Sequence, residues 1–335
     1  MSSLHAMQKS SLAAADMPLG LLPIIDFAAL LSDRTEDRKT AAQAIRTACR
    51  DKGFFYLANH GVPERLVGEM FRQAKAFFAL PIETKMELHM SKSWGRSNRG
   101  FSPIQEQRLE KDAPPDLKES LYIGVELPLD DPRVVAKKGN HGPNLWPHGL
   151  PDFRRIMETY FAEMIRVELV LWRGLARSLD LDEDYFRDFC RDSTATLRLL
   201  HYPPQPVVAL PGEKGCGAHT DFGGVTILLQ DQNGGLQIWD DRHGWMHVPP
   251  VSGAFVINLG DLMARWTNDQ YRSTLHRVVN TSGNERYSVP FFFPGNPDYR
   301  VSCLPTCREP NVPDKYPPTT VSEHLAEMLR RSYAS

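Results

Sequence analysis

The sequence predicts an α+β protein in which helices from the first half of the chain pack outside a β-barrel core from the second half. Two patterns predict this class. Three long segments before residue 180 repeat apolar residues at helical spacing, whereas short apolar runs broken by turn residues begin at Ala195. A chain of 335 residues can hold both parts in one compact unit, because β-barrel domains often exceed about 200 residues.

The three predicted helices span residues 35–52, 63–80 and 151–179. Gly53 follows the first helix and Pro81 follows the second, and both residue types commonly end helices. The third helix is the longest and carries one continuous apolar stripe. We expect the apolar stripes of all three helices to face the core.

Between the second and third helices, residues 91–149 show little periodicity and are rich in Gly, Pro, Asn and Asp. A strand-like piece at 120–127 interrupts this segment. Loops of this length in a compact domain usually have a functional role. We expect the segment, together with the C-terminal residues, to close the mouth of the barrel.

Seven predicted strands form the barrel, and their close spacing is typical of sandwiches and barrels. They cover residues 196–202, 225–230, 236–239, 245–248, 254–258, 275–280 and 287–293. Pro290 lies in the last run and cannot donate a ladder hydrogen bond, so we expect that strand near a sheet edge or a bulge. The expected organisation is a flexible tail at 1–20, a mainly helical region with the long loop at 21–190, and the barrel with a C-terminal helix at 191–335.

Composition narrows the classes of partner. The net charge of −2, from 39 basic and 41 acidic residues, gives no electrostatic reason to expect nucleic acid or an anionic membrane. No apolar run reaches the roughly 18–20 residues that span a bilayer. The five cysteines form no Cys-x-x-Cys pair, which argues against a disulfide framework or structural zinc and fits a reducing compartment. We expect a cytoplasmic protein with a small-molecule substrate, as a monomer or weak homo-oligomer.

His219, Asp221 and His276 form the candidate metal site. His219 and Asp221 are two residues apart in an extended segment, so their side chains point the same way. His276 lies at the start of another predicted strand and can supply a second imidazole. Two imidazoles and one carboxylate make up the facial triad of non-haem Fe(II) oxygenases, which leaves coordination positions open. Because ligating histidines must stay neutral, we expect neither to act as a general base.

Arg286 lies ten residues after His276, and Ser288 follows two residues later. Alternate residues of a strand share a face, so the guanidinium and the hydroxyl can bind one ligand together. A planar guanidinium can bind an organic carboxylate through two hydrogen bonds, and such a charge-assisted contact contributes about 1.5–3 kcal/mol. The triad and this Arg-x-Ser fork together predict an iron site beside a carboxylate site.

The chain resembles the 2-oxoglutarate/Fe(II)-dependent dioxygenases of the isopenicillin N synthase type along nearly its whole length. The matching stretches near the N-terminus are LPIIDFAAL, CRDKGFFYLANHGVP and FFALPIETKMEL. Those in the second half are GAHTDFGGVTILLQDQNGGLQI, INLGDLMARWTND, STLHRVVN and RYSVPFFFPGNPD. The microbial branch that includes fungal thymine hydroxylase is most similar in the stretches NRGFSPI, DLKESLYIG and TLRLLHYPP.

The resemblance implies a distorted double-stranded β-helix (jelly-roll) core with flanking α-helices. It implies that the triad binds Fe(II) and that Arg286 and Ser288, with Tyr202, hold 2-oxoglutarate. Leu200 stands where the family often has Asn, so the contact expected of that Asn is missing. The implied reaction uses O₂ to oxidise, most commonly to hydroxylate, an unactivated C–H bond of a small molecule. It releases succinate and CO₂, and ascorbate is a candidate reductant.

Candidate substrate contacts lie in the long segment, beside the metal site and on the last strand. They are Asn98, Arg99, Phe101, Tyr122, Phe222, Trp266 and Phe293. Aromatic residues such as Trp266 and Phe293 also fill protein cores, and Arg99 suits either an anionic or carbonyl group or a surface ion pair.

Two other functions remain open from the sequence. An isopenicillin N synthase-like oxidase uses the same triad with O₂ but without 2-oxoglutarate, and its fork holds the carboxylate of the substrate. That oxidase has a Gln close to its C-terminus that can reach the iron, whereas this chain ends in RRSYAS. The second alternative, a non-catalytic ligand-binding barrel, would have no need for three convergent metal ligands.

Overall fold

A computed structural model describes residues 12–18, 20–110, 112–206 and 210–334. Most strands belong to two sheets, and two short strands pair separately. The strands are β1 (Ile24–Asp26), β2 (Phe54–Ala58), β3 (Gly100–Ser102), β4 (Glu119–Gly124), β5 (Thr196–Tyr202), β6 (Cys216–His219), β7 (Val225–Gln230), β8 (Leu236–Asp240), β9 (Gly244–His247), β10 (Ala254–Leu259), β11 (His276–Val278), β12 (Arg286–Phe293), β13 (Arg300–Val301) and β14 (Thr319–Thr320).

The large sheet has eight strands in the order β1-β2-β10-β7-β12-β5-β4-β3. Its neighbouring strands are antiparallel except β1 and β2, which are parallel. Four of the eight, β1 to β4, come from the region that the sequence patterns describe as mainly helical. Only β4 has a counterpart among the predicted strands, at 120–127. Strand β2, FFYLA, is almost fully buried, so it shows no polar–apolar alternation from which it could be recognised.

The small sheet has the order β6-β11-β8-β9. Strand β6 lies at its edge, and His219 at the end of β6 pairs with His276 at the start of β11. On the other side of β11, His276 pairs with Ile238 of β8. The pairing of β6 with β11 therefore brings together two of the three candidate metal ligands, although they are far apart in the sequence.

Three long helices lie where the sequence predicts them, with ends within two residues of the expected positions. The helices are α1 (Phe27–Leu30), α2 (Thr35–Asp51), α3 (Glu64–Phe78), α4 (Ile82–Met86), α5 (Pro132–Val135), α6 (Phe153–Ser178), α7 (Arg187–Cys190), α8 (Asp261–Trp266) and α9 (Val321–Ala334), with short 3₁₀ turns at Met90–Lys92 and Pro305–Cys307. Helix α6 contacts both α2 and α3. The predicted α+β class is confirmed.

The two faces of the large sheet pack against different partners, because side chains alternate along each strand. Phe55 and Leu57 of β2 belong to the core shared with the helices. Phe54 and Tyr56 of the same strand belong to a second apolar cluster that includes Ile238 of the small sheet. The space between the two sheets is therefore the place where polar side chains can line a cavity.

Pro290 does not lie in an edge strand, so this part of the prediction is wrong. Strand β12 is central and pairs with β5 on one side and β7 on the other. The pairing with β7 includes Pro290, whereas the recorded pairs with β5 skip Val289 and Pro290. A local gap in one ladder accommodates the missing proline N–H inside a central strand.

The predicted N-terminal tail is partly attached to the small sheet. Ala15 N–H donates to Trp245 O at 2.9 Å, and His247 N–H donates to Ala15 O at 2.9 Å. Strand β9 is an edge strand with backbone groups available for such pairing. This part of the chain is therefore not the loose tail that we expected, while residues 1–11 lie outside the described residues. Among the described helices, none is both long and apolar enough to cross a membrane.

Candidate active site

His219, Asp221 and His276 converge at the end of the small sheet. One ligand atom from each lies within 4.8 Å of the others. Nε2 of His219 and Nε2 of His276 each lie 3.8 Å from Asp221 Oδ1. Two imidazole nitrogens and one carboxylate oxygen around a common point form a donor set that suits Fe(II).

Both histidines are oriented by backbone carbonyls behind them. Nδ1 of His219 donates to Gly217 O at 2.8 Å, and Nδ1 of His276 donates to Thr274 O at 3.0 Å. A proton on Nδ1 leaves the lone pair on Nε2, which is the atom that faces the convergence point. The backbone thus holds both rings in the tautomer that a metal requires.

Asp221 is held through the carboxylate oxygen that faces away from the histidines. Oδ2 accepts hydrogen bonds from Thr226 Oγ1 at 2.6 Å and from Asn258 Nδ2 at 2.7 Å. Thr226 lies on β7 and Asn258 on β10, so two neighbouring strands of the large sheet fix this carboxylate. Oδ1 remains directed at the two Nε2 atoms.

The electrostatics of the group favour a neutral His276 beside an ionised Asp221 carboxylate. Burial, and then the neighbouring His219, lower the pKa of His276 to about 4. Burial alone would raise the pKa of Asp221, but the nearby imidazoles and the hydrogen bonds from Thr226 and Asn258 hold it below its ordinary value. Both protonation states are those that a metal ligand needs at neutral pH.

A close approach of two loops positions the Asp221 backbone. A Cβ atom on Gly260 would lie 2.3 Å from Gly223 O and 2.6 Å from Asp221 O, so this position accommodates only glycine. The next residue, Asp261, donates its N–H to Asp221 O at 2.7 Å and accepts a hydrogen bond from Thr220 Oγ1 at 2.9 Å. The turn before α8 therefore fixes the loop that follows β6.

Arg286 and Ser288 form the predicted fork at the other end of the cavity. Arg286 is 1% exposed, and its Nη1 donates to Ser288 Oγ at 3.0 Å. Its Nη2 donates to Gln230 Oε1 at 3.3 Å, and its Nε donates to Gly234 O. The recorded contacts of this buried cation are with uncharged groups, so an anionic ligand can still bind it.

Tyr202 lies beside the fork, as the resemblance implies. It pairs with Arg286 across β5 and β12, and the Arg286 guanidinium carbon lies 4.8 Å from the Tyr202 ring centroid. Leu200 pairs with Ser288 and also lines the cavity, so an apolar side chain occupies the position of the family's Asn. Orientation of a ligand here must come from other polar groups.

The triad and the fork line one cavity of about 70 Å³ between the sheets. Several of its other lining residues are not among the site residues that the sequence pattern indicates. They include Phe54, Leu109, Lys118, Arg198, Thr226, Leu228, Asn258 and Phe292. A cation within a mostly apolar strand, such as Arg198 in TLRLLHY, is the signal that could have revealed part of this set.

The seven predicted substrate contacts do not line this cavity. Four are packed in the core, with exposures of 0–2%: Arg99, Phe101, Trp266 and Phe293. Arg99 donates to the carbonyls of Ser97 and Asn140, which explains its burial without an anionic ligand. Asn98 is exposed, whereas Tyr122 and Phe222 are half-buried and lie next to cavity residues. Packing and backbone bonding therefore account for the four buried residues.

The long segment 91–149 covers the edge of the small sheet. Glu110 Oε2 accepts from Ala218 N at 3.0 Å, and Asp116 Oδ1 accepts from Gly217 N at 2.9 Å. These carboxylates take the place of a neighbouring strand along β6, and Leu109 from the same segment lines the cavity. At the C-terminus, His324 of α9 donates to Phe222 O at 2.9 Å, next to Asp221.

Comparison with known families matches both parts of the chain. Residues 22–149 match the family described as the non-haem dioxygenase in morphine synthesis N-terminal domain. Residues 193–294 match the 2OG-Fe(II) oxygenase superfamily, and this range contains the triad and the fork.

Similar proteins cover nearly the whole chain. The 2-oxoglutarate-Fe(II) type oxidoreductase hxnY of Emericella nidulans is 42% identical over 93% of this chain and 90% of its own length. The 2-oxoglutarate-dependent dioxygenase citB of Monascus ruber is 40% identical over 93% of this chain and 95% of its own. The full-length thymine hydroxylase of Neurospora crassa in complex with alpha-KG superposes with a TM-score of 0.84 at 30% identity, over 96% of this chain and 99% of its own.

These matches confirm the predicted family, its resemblance to the fungal branch, and the double-stranded β-helix core. They also decide between the functions left open by the sequence, because the relatives are named as enzymes that use 2-oxoglutarate and Fe(II). Fe(II) is therefore the cofactor and 2-oxoglutarate the cosubstrate. The chain belongs to the family of 2-oxoglutarate- and Fe(II)-dependent oxygenases.

Proposed function

We propose that this oxygenase hydroxylates an unactivated C–H bond of a small organic molecule, with Fe(II) bound by His219, Asp221 and His276. In this proposal Arg286 and Ser288, with Tyr202 beside them, bind the distal carboxylate of 2-oxoglutarate. One observation carries the assignment. Three ligand atoms point at a common position in the same cavity that also contains a buried Arg-x-Ser fork, whose arginine contacts only uncharged groups among the described residues.

When bound, Fe(II) with 2-oxoglutarate supplies O₂ activation coupled to decarboxylation, which yields succinate and CO₂. The protein residues bind and orient the metal and the cosubstrate and shield the reacting groups from water. The carbonyls of Gly217 and Thr274 hold the histidine tautomers, and Thr226 with Asn258 holds one oxygen of Asp221. The apolar walls, including Leu228 and Phe292, exclude water from the reacting C–H bond.

The structure of a relative supports the proposal that the substrate is a small organic molecule. The Neurospora crassa thymine hydroxylase has been crystallised with alpha-KG and thymine, and superposes with a TM-score of 0.83 at 31% identity. The proposed substrate would lie in the cavity between the two sheets, which is lined in part by Leu109 of the long segment.

We propose that residues 21–190 and 191–335 act as one unit, since the large sheet takes strands from both. All five cysteines are free thiols, which fits a cytoplasmic setting. We also propose ascorbate as a reductant, from the family resemblance, and a monomeric or weakly oligomeric state. The net charge of −2 supports the proposal that nucleic acids and anionic membranes are not partners.

The metal assignment can be tested by anaerobic titration of Fe(II) into metal-free protein with 2-oxoglutarate. The wild type should bind one Fe(II) and develop a visible iron-to-2-oxoglutarate charge-transfer band. His219→Ala should weaken Fe(II) binding by more than about 100-fold, because a metal ligand is worth more than the 10–100-fold of an outer hydrogen bond. His148→Ala, at an exposed histidine, is the matched control. Equal Fe(II) affinity in both variants would show that the metal lies elsewhere.

A further inference from the structure

Among the described residues, three cationic side chains line the cavity, those of Lys118, Arg198 and Arg286. Two of them have assigned counter-charges. Lys118 Nζ forms a buried ion pair with Asp116, and both side chains are 2% exposed. Arg286 is the proposed partner of the distal carboxylate of 2-oxoglutarate. Arg198 is the remaining cation.

The recorded contacts of Arg198 are all with uncharged groups. Its Nη2 donates to Gln107 Oε1 and to Ser120 Oγ, the latter at 3.2 Å. Its guanidinium carbon lies 4.4 Å from the centroid of the Tyr122 ring. Its Nε is buried and has no hydrogen-bond partner among the described residues. In the described part of the chain, Arg198 forms no ion pair with an Asp or Glu.

A partly buried guanidinium without a counter-ion is unfavourable, and Arg cannot lose its charge by deprotonation. The interior face of β5 places Arg198 four residues before Tyr202, which is about 13 Å along a strand. One 2-oxoglutarate bound at Arg286 therefore leaves Arg198 available for a different ligand.

The sum of the charges in the site with Fe(II) and 2-oxoglutarate bound indicates the charge of that second ligand. Fe(II), the Asp221 carboxylate, the 2-oxoglutarate dianion and Arg286 together are neutral, as are Lys118 and Asp116. We infer that the substrate is an organic monoanion whose carboxylate is bound by Arg198, the guanidinium of which is positioned by Gln107 and Tyr122. This inference rests on the proposed function of the same cavity.

A carboxylate fits better than a phosphate monoester because of its charge. A phosphate monoester carries more than one negative charge near neutral pH, which would leave excess negative charge in a cavity of about 70 Å³. The monoanion leaves the loaded site neutral.

The test compares acids with amides of the same shape on enzyme loaded anaerobically with Fe(II) and 2-oxoglutarate. The probes are formate against formamide and benzoate against benzamide, with binding followed by calorimetry and by perturbation of the charge-transfer band. We expect each acid to bind at least tenfold more tightly than its amide. Arg198→Gln should remove that preference, while Arg108→Gln, an exposed arginine in the neighbouring segment, should retain it.

Three results would overturn the inference: equal binding of acids and amides, unchanged acid binding in Arg198→Gln, or no acid binding to the wild type at about 10 mM. The comparison of acids with amides uses the wild type, so it does not depend on how well the variant folds. A wild type that forms no charge-transfer band would instead contradict the proposed function. The same probes applied to metal-free protein would then still decide whether Arg198 binds carboxylates.

Discussion

The two ends of the cavity differ in how their polar groups are satisfied. At the metal end, the atoms of His219, Asp221 and His276 that face away from the convergence point all have protein partners. Away from the metal, the recorded contacts of Arg286 and of Arg198, which lie apart along the cavity, are with uncharged groups. The fold thus supplies hydrogen-bond partners behind the metal ligands, whereas two guanidinium groups can still bind anionic ligands.

The difference follows from what each end must bind. Metal binding is strongest when the ligand side chains are already held in the required geometry, so hydrogen bonds behind these side chains increase the affinity of the site for Fe(II). An organic anion brings its own hydrogen-bond acceptors, so a cation that is already paired would bind it weakly. Mutations at the anion-binding end should therefore act on organic ligands, and those behind the metal ligands on Fe(II).

The largest effect that separates the two ends is expected for Arg286→Gln. Loss of a charge-assisted contact of about 1.5–3 kcal/mol should raise the KM for 2-oxoglutarate roughly 10–150-fold. Fe(II) affinity measured without 2-oxoglutarate should stay the same, because Arg286 does not contact the triad. Steady-state succinate formation and anaerobic Fe(II) titration measure the two quantities. A loss of Fe(II) affinity as large as the rise in KM would mean that the two ends are not separate.

A smaller effect, on Fe(II) and not on the organic ligand, is expected for Thr226→Val, in which the two side chains have nearly equal volume. It removes one of the two hydrogen bonds to Asp221 Oδ2 and leaves that of Asn258. Outer hydrogen bonds to metal ligands contribute 10–100-fold to affinity, so Fe(II) binding should weaken by about tenfold with little change in binding of the organic ligand. Thr40→Val, at an exposed helical position, is the matched control. Unchanged Fe(II) affinity would show that Asn258 alone holds the carboxylate.

The same contrast explains how much of the site the sequence could predict. His219, Asp221, Arg286 and Ser288 are recognisable because spacing of two residues places side chains on one face of a strand. Thr226 and Asn258 are ordinary polar residues in apolar strands, and their role depends on the pairing of β7 with β10. Such long-range pairing has no local sequence pattern.

Substrate contacts are the least predictable part of the site for a related reason. Large or charged residues near motifs, such as Arg99 and Trp266, are natural candidates, but the fold buries both. Arg198 is recognisable from the sequence only as a cation in an otherwise apolar strand, and that signal does not say which ligand it binds. The fold itself is predictable where periodicity is strong, as in α6, and much less so where buried strands such as β2 lack alternation.

Glu168 on α6 is a buried ionisable residue that does not line the active-site cavity. It is 0% exposed, and neither carboxylate oxygen has a hydrogen-bond partner among the described residues. Burial, opposed only in part by the nearby Trp172 indole, raises the pKa of Glu168 well above its ordinary value, so the folded protein favours the neutral acid. Unlike Arg198, a glutamate can escape the cost of a buried charge by taking up a proton.

The expected effect of Glu168→Gln is small and depends on pH. Because the folded-state pKa is raised, the stability that Glu168 contributes is fully present below its unfolded pKa and is lost as pH rises through its folded pKa. Glu168→Gln removes this loss, so the melting temperature of the variant should exceed that of the wild type by a margin that grows with pH. Each kcal/mol difference in the free energy of unfolding corresponds to about 2–4 °C. Thermal unfolding across pH 5–9 should show little difference at the acidic end, with the KM for 2-oxoglutarate unchanged, since Glu168 does not line the cavity. Glu158→Gln, on the exposed face of the same helix, is the control, and the same pH trend in both variants would mean that burial of Glu168 is not the cause.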